Sequence, residues 1–191
     1  VLENEKKLIK TCYKIEKTGV KIDREFCRRA IEFEEKRRDS ALSSFRAITG
    51  MELIDSNKFL EGIFKALGEK YPTTEKGNPS FTEDALSTFT SPAAKAILEY
   101  RKASKRANTY FKNYLYFADK DDVIHADIKQ SGTETGRFSY GDPNLQNVPK
   151  RGEDEKDFPI RRAFVPREGF CFVMLDYDQM EYRLMVDYAE E

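Results

Sequence analysis

The side chains best equipped for chemistry lie in Asp176-Tyr177-Asp178-Gln179-Met180-Glu181-Tyr182-Arg183. Carboxylates are the donors that a hard divalent cation selects, usually one or two of them together with substrate phosphates. The six residues before them, Phe170-Cys171-Phe172-Val173-Met174-Leu175, lack polar alternation and are rich in strand formers. That pattern predicts a strand buried on both faces, with Asp176 at its exposed end. Asp178, followed three positions later by Glu181, has the form of a helix N-cap with its reciprocal partner, and Met180, Leu184 and Tyr188 recur at helical spacing. Two readings stay open on these residues alone: a turn and cap, or half of a catalytic metal site.

The elements that must position this segment are mostly helices. Leu8, Ile9, Cys12 and Ile15 repeat at helical spacing up to Gly19, and Asp23 then caps a long charged helix carrying Phe26, Cys27, Ala30, Ile31, Leu42 and Phe45, closed by Gly50. Within it the run Glu32 to Arg38 is mixed in sign and predicts a solvated face. Asp55 and Ser56 start a shorter helix with Leu60, Ile63, Phe64 and Leu67 inward; Thr82 can cap a further turn after a loop marked by Pro72, Gly77 and Pro79. Ser91-Pro92 opens a helix of about 25 residues, roughly 35 to 40 Å long and comparable to one turn of duplex DNA, whose stripe from Ile97 to Tyr114 runs toward Phe117.

Beyond Asp121-Asp122, the alternation Ile124, Ala126, Ile128 predicts a strand with one buried face. Gly132 to Pro149 is a loop dense in Gly, Asn, Asp and Pro, too long to be an idle connection. Arg151 to Pro159 predicts an exposed charged linker, and Arg162 to Val165 a second strand.

Composition limits the function classes. With 191 residues, 39% hydrophobic and 35% charged, the chain can bury a core of one large or two small domains. A net charge of -1 excludes a uniformly basic molecule, so nucleic-acid contact has to come from a local patch. Cys12, Cys27 and Cys171 are odd in number and widely separated, and His125 is the only histidine, which supports neither a disulfide framework nor a zinc site. The longest apolar run is about six residues against the roughly twenty that cross a bilayer. No membrane partner is expected, and a reduced, intracellular, cytoplasmic protein is the default.

Upstream of Asp176, in chain order, lie Thr135-Gly136-Arg137, Asp142-Pro143-Asn144-Leu145-Gln146-Asn147-Val148-Pro149 and Ile160-Arg161-Arg162-Ala163-Phe164. With the segment Asp176 to Arg183 they resemble the family A DNA polymerases, the enzymes like bacterial DNA polymerase I. In that family a Thr-Gly-Arg loop, an Asp-Pro-Asn-Leu-Gln-Asn-hydrophobic-Pro segment and an Arg-Arg-Ala-Phe strand lead into the Asp-Tyr-x-Gln-hydrophobic-Glu-x-Arg motif of the palm. At lower specificity the resemblance extends to the turn from Lys17 to Asp23 and to the thumb-like helix with Tyr100-Arg101-Lys102, and so covers essentially the whole chain. It implies an α+β fold, with a palm-entry helix and turn over 1–22, a helical thumb over 23–120, and part of an antiparallel palm sheet over 121–191.

The resemblance also implies roles. Asp176 would be the first catalytic aspartate, coordinating two Mg2+ ions with the backbone carbonyl of Tyr177, and Arg183 would support the site or form a palm salt bridge. Gln179, Met180 and Glu181 would meet the incoming deoxynucleoside triphosphate, Glu181 as a steric gate against a 2′-hydroxyl; it can also complete the helix cap. Thr135, Arg137, Gln146 and Asn147 resemble residues that contact primer-template DNA. Every base pair presents purine N3 and pyrimidine O2 acceptors in the minor groove, so Arg and Gln donors there can test pair geometry without selecting sequence. Loop stabilisation is the other reading of Gln146 and Asn147.

Arg101, Lys102, Lys105 and Arg106 occupy neighbouring positions of one helix, either as a basic strip facing phosphates or as a solvated face. Arg161 and Arg162 would contact phosphate or flank the sheet. Departures from the family pattern include Asp178 where Ser is common and Met180 where a branched aliphatic is usual; the more flexible Met bears on packing beside the sugar.

The 191 residues include no fingers helix and no His-Asp-Glu motif, and His125-Ala126-Asp127 does not replace the latter. The expectation is therefore a thumb plus the first portion of a palm, from a truncated or split polymerase, inactive in isolation. A second chain carrying the remaining palm and fingers is one partner this reading allows, and the short sheet should leave an edge or apolar patch. Two alternatives stay open: a noncatalytic duplex-binding module, and a single-subunit RNA polymerase, against which Glu181 argues.

Overall fold

The computed structural model describes residues 2–149 and 157–189. Two long helices form its frame. Helix α1 (Leu2–Thr18) ends at Gly19, whose φ of +61° turns the chain into strand β1 (Val20–Ile22). A Cβ on Gly19 would lie 2.5 Å from the Ile124 carbonyl oxygen, so this turn requires glycine on both counts. Asp23 then caps α2 (Arg24–Thr49), accepting a hydrogen bond from the Phe26 N–H at 2.8 Å, and Gly50 closes that helix in the left-handed conformation.

Three serine and threonine caps start the next helices as expected. Ser56 caps α3 (Asn57–Ala66), Thr82 caps α4 (Glu83–Ser87), and Ser91 with Pro92 in the first turn starts α5 (Pro92–Lys105). Leu67, expected inside, stands at the C-cap of α3 and is exposed. The long helix continues to Phe117 without a break, but Arg106–Lys112 is wound as a π-helix before α6 (Asn113–Phe117). That segment turns Arg106, Ala107, Tyr110 and Phe111 all to the buried side.

Helix α2 packs along α5 and the π-helical segment, and a core closes each end of the pair. At the far end Phe45, Leu60, Phe64, Phe81, Leu86 and Ile97 interlock. At the near end Ile22, Cys27, Ala30, Phe111, Tyr114, Ile124 and Ile160 form the second core, against the sheet. Burial pushes the Cys27 thiol up to about 12, with the charge of Asp23 adding to the effect. Among the described side chains of α1 only Cys12 is buried, while Ile9 and Ile15 of the expected stripe face outward.

The sheet is antiparallel and small. Strand β1 lies in the middle, paired with β2 (Val123–Ile124) on one side and β5 (Phe164–Val165) on the other. The stretch Lys17 to Asp23, expected as a turn, thus supplies the central strand. A separate two-stranded ribbon joins β3 (Asp127–Lys129) to β4 (Ser139–Gly141). Ile124, Ala126 and Ile128 are all buried, as their alternation predicts, but the single strand expected there is split: Ile124 pairs within β2 and Ile128 within β3, in different sheets. The loop Gly132 to Pro149 is therefore not structureless: it contributes β4 and a 3-10 turn at Leu145–Asn147.

Four expectations are corrected. Phe170 to Leu175 has no regular secondary structure and is exposed, with Met174 and Leu175 at 90% and 91%. A strand buried on both faces needs neighbours to pair with and layers to cover it, and the described residues supply neither. Arg162 and Ala163 belong to a 3-10 turn (Ile160–Ala163), leaving only Phe164 and Val165 in β5. Helix α7 (Met180–Ala189) begins after Gln179, whose carbonyl accepts from the Arg183 N–H at 3.0 Å, so Asp178 lies outside the cap position. The charged linker falls mostly on residues 151–156, outside the described residues, but Phe158 packs against Phe26 and Phe33 rather than lying free. The α+β class with a dominant helical body stands.

Candidate functional site

The irregular segment before α7 and the start of that helix carry the acidic residues. Asp176 is exposed, Asp178 and Gln179 form a bend, and Gln179 takes a φ of +50° as the chain enters the helix. Tyr177, Asp178, Met180, Arg183, Leu184 and Asp187 line an open cavity of about 330 Å³ at this entry. Among the described residues no group of three or more His, Cys, Asp or Glu side chains converges to hold a metal ion. Magnesium takes six oxygens in octahedral geometry. Asp176 and the Tyr177 carbonyl would supply a minority of these, so the donor set among the described residues does not by itself fit a two-metal centre.

Glu181 does not reach back to complete a cap. Its carboxylate forms an ion pair with Arg137, 44 residues upstream, and both side chains are exposed. The Arg137 loop is shaped from within. Gly136 adopts a φ of +73°, its N–H donates to the Thr133 carbonyl, and the Thr133 hydroxyl donates to the Arg137 carbonyl at 2.8 Å. Thr135 sits at the tip, its hydroxyl 3.3 Å from that of Thr133. One residue further on, the Phe138 carbonyl accepts from the Gln146 side-chain amide at 2.9 Å. Gln146, Arg137 and Glu181, three residues singled out separately in the sequence, thus form one connected set.

Asn147 plays a backbone part, its carbonyl accepting from the Tyr110 hydroxyl at 3.4 Å, which tethers the loop to the π-helical segment. Asn144, not Asn147, is the side chain that turns the loop, accepting from the Gln146 N–H at 3.0 Å. Arg161 donates to the Pro149 carbonyl at 2.7 Å. With Gln146 it edges a mainly apolar cavity of about 660 Å³ between α1, the sheet and the stretch Phe172 to Met174, where Ile15, Ile124, Tyr140 and Val173 also lie.

The four basic residues of the long helix do share one cleft, of about 290 Å³, closed by Glu83, Pro149 and Ile160. They are not equivalent. Arg106 is buried and corrects the reading of a phosphate contact: its Nε lies 2.5 Å from Glu34 and its Nη2 donates to the Phe158 carbonyl. Arg101 donates through Nε to Asp55 at 3.0–3.1 Å and through Nη1 to the Phe81 carbonyl. Lys102 and Lys105 are the exposed cations of the cleft.

Glu34, expected in solvent, is fully buried, and Arg37 also approaches it at 3.2 Å. A signal existed. Glu34 falls in phase with Cys27, Ala30, Ala41 and Phe45 on α2, just as Arg106 falls in phase with Ala103 and Tyr110.

Comparison with known proteins bears on what these residues belong to. The family model described as DNA polymerase family A matches residues 24–191. DNA polymerase I of Helicobacter pylori is 42% identical over 101 residues, 52% of this chain and 11% of that protein. The thermostable DNA polymerase I of Thermus thermophilus is 32% identical over 191 residues, covering 96% of this chain and 23% of that one. The DNA polymerase DpoZ of Salmonella phage PMBT28 is 30% identical, with 91% of this chain and 31% of that protein covered.

Among solved structures, the POL domain of Pol1 from M. smegmatis, in complex with DNA primer-template and dNTP, superposes with a TM-score of 0.79 at 26% identity, over 93% of this chain and 32% of that one. The chain therefore spans about a third or less of the length of these relatives. No helix among the described residues is long and apolar enough to cross a membrane. A helical body on a small antiparallel sheet, the loop and helix-entry motifs joined through Arg137 and Glu181, and a family match over residues 24–191 together make this chain a member of DNA polymerase family A.

Proposed function

We propose that the chain supplies the primer-template grip, the sugar check and the first catalytic carboxylate of an enzyme that adds deoxynucleotides to a primer 3′-hydroxyl. The observation that carries this reading is the pairing of Arg137 with Glu181, which draws the Thr-Gly-Arg loop and the acidic helix entry into one site. A copying enzyme needs the terminal base pair and the incoming nucleotide to be judged side by side. Arg137 and Gln146 offer donors suited to minor-groove acceptors that all base pairs share, and Glu181 offers bulk and charge where a ribose hydroxyl would have to fit.

Asp176 is the carboxylate this segment offers to a divalent ion, to which substrate phosphates would add further oxygen ligands. Lys102 and Lys105, exposed in one cleft, would hold duplex phosphates, with Arg101 fixing the cleft wall through Asp55 and Phe81. Arg161, tied to the Pro149 carbonyl, steadies the approach to the same region.

The test has two arms. The purified 191-residue chain with Mg2+ should bind primer-template DNA without extending the primer; templated extension would overturn the assignment of an incomplete site. In the full-length polymerase carrying this sequence, Asp176→Ala should abolish extension while leaving primer-template affinity within a few-fold. Undiminished turnover would remove Asp176 from the chemistry.

A second reading is a noncatalytic duplex-binding module, favoured by the exposed lysines of the cleft. Full-length protein that binds duplex with a steep salt dependence yet never incorporates nucleotides would select it.

A further inference from the structure

We infer that Glu181 is a positioning residue for Arg137, and that primer-template DNA competes with Glu181 for that guanidinium; the inference rests on the reading of Arg137 as a duplex contact. Arg137 and Glu181 lie 44 residues apart in the chain, and their ion pair spans the gap between the Thr-Gly-Arg loop and the first turn of α7. The loop side is pinned by the Thr133 hydroxyl on the Arg137 carbonyl and by the Gln146 amide on the Phe138 carbonyl, so the guanidinium leaves a fixed base. The helix side is pinned by the Gln179 carbonyl, which closes the first turn on Arg183.

Both side chains are solvated, and an exposed ion pair is weak enough to be exchanged for another partner. A guanidinium carries five donors but presents them in one plane. Donors turned to the Glu181 carboxylate are not turned to base acceptors, so the carboxylate taxes duplex binding. When the terminal base pair takes Arg137, the Glu181 carboxylate loses its partner and becomes available to the nucleotide site. Arrival of a paired primer end thereby prepares the helix entry for the incoming sugar.

The experiment is a double-mutant cycle on the 191-residue chain, titrating a fluorescent primer-template of recessed 3′ end at fixed low salt and reading anisotropy. Glu181→Gln should tighten binding about two- to fivefold, the range of an exposed ion pair, and Arg137→Gln should weaken it. In the Arg137→Gln background, Glu181→Gln should have no further effect. Asp187→Asn, which removes the same charge from the same helix, should change affinity by less than Glu181→Gln does.

Hydrogen exchange of residues 133–138 in the free chain gives an independent readout, expected to quicken equally in either single variant. Additive effects of the two substitutions, or an Asp187→Asn effect as large as that of Glu181→Gln, would overturn the competition while leaving duplex contact in place. Failure of Arg137→Gln to weaken binding would overturn the duplex contact itself.

Discussion

Replacing Arg106 by Leu should cost about 3–5 kcal/mol of folding stability, because it takes the closer of two guanidinium partners from a fully buried carboxylate. The side chain of Glu34 is 0% exposed and that of Arg106 4%, and they meet at 2.5 Å between α2 and the π-helical segment. In water two such charges gain about 1 kcal/mol from each other, whereas in a dry interior the attraction is much larger but must offset desolvation of several kcal/mol per ion. The pair therefore nearly balances while intact and becomes expensive when halved. Arg37 cannot replace Arg106, since it reaches Glu34 from the exposed side and is shared with Glu99 at 2.7 Å.

Replacing both partners, Glu34→Leu with Arg106→Leu, should return the protein to within about 2 kcal/mol of the parent, because leucines of similar volume fill the gap without a stranded charge. Recovery stays incomplete, as the Phe158 carbonyl loses its donor in either Arg106 variant, a cost of about 1–3 kcal/mol. The chain has no Trp and 10 Tyr, so urea unfolding is best followed by far-UV circular dichroism, comparing midpoints at equal m-values. A loss below about 1 kcal/mol for Arg106→Leu, or a double variant as unstable as the sum of the singles, would refute the buried-pair argument.

Three further outcomes follow from local geometry. Native protein exposed to a thiol reagent at pH 8 should label at Cys171 alone, because Cys12 and Cys27 are buried and the Cys27 thiol is pushed up to about 12; mass spectrometry should count one adduct folded and three in urea. Gly19→Ala should destabilise by more than about 1–2 kcal/mol, the cost of a left-handed φ, since its Cβ also meets the Ile124 carbonyl; a thermal midpoint within a degree of the parent would contradict this. The Asp119 carboxyl is held below the usual range first by the Val123 N–H, with the Asp121 N–H and His125 adding. Its folded pKa lies under the unfolded value, so its contribution is present above about pH 4 and is lost as pH falls through the folded value. Asp119→Asn should flatten that part of the stability profile, and an unchanged acid slope would show that the carboxylate is not its source.

What the sequence made legible was local. Caps at Asp23, Ser56, Thr82 and Ser91 and the left-handed Gly50 were readable because a hydroxyl or carboxylate beside a helical stripe satisfies free N–H groups within three residues. The alternation Ile124, Ala126, Ile128 was readable because a buried face imposes period two. Strand β1 was not, since three residues, Val20–Ile22, carry too little pattern, and their strand state is set by β2 and β5 more than a hundred residues away.

Phe170 to Leu175 and Glu34 mark the same limit from opposite sides. An apolar run states that burial would be favourable, not that a partner is present to provide it, and here the run lies open along one wall of the cavity that Ile15 and Ile124 share. A glutamate states that solvent would be favourable, yet Glu34 is enclosed because Arg106 arrives from 72 residues away in the same phase of its own helix. Charge and hydropathy thus fix the demand of each side chain, while the distant chain decides whether it is met. The pairing of Arg137 with Glu181 belongs to this second class. Each residue was identifiable by its motif, but only the fold makes one the counter-ion of the other and so joins two separate motif residues into a single site.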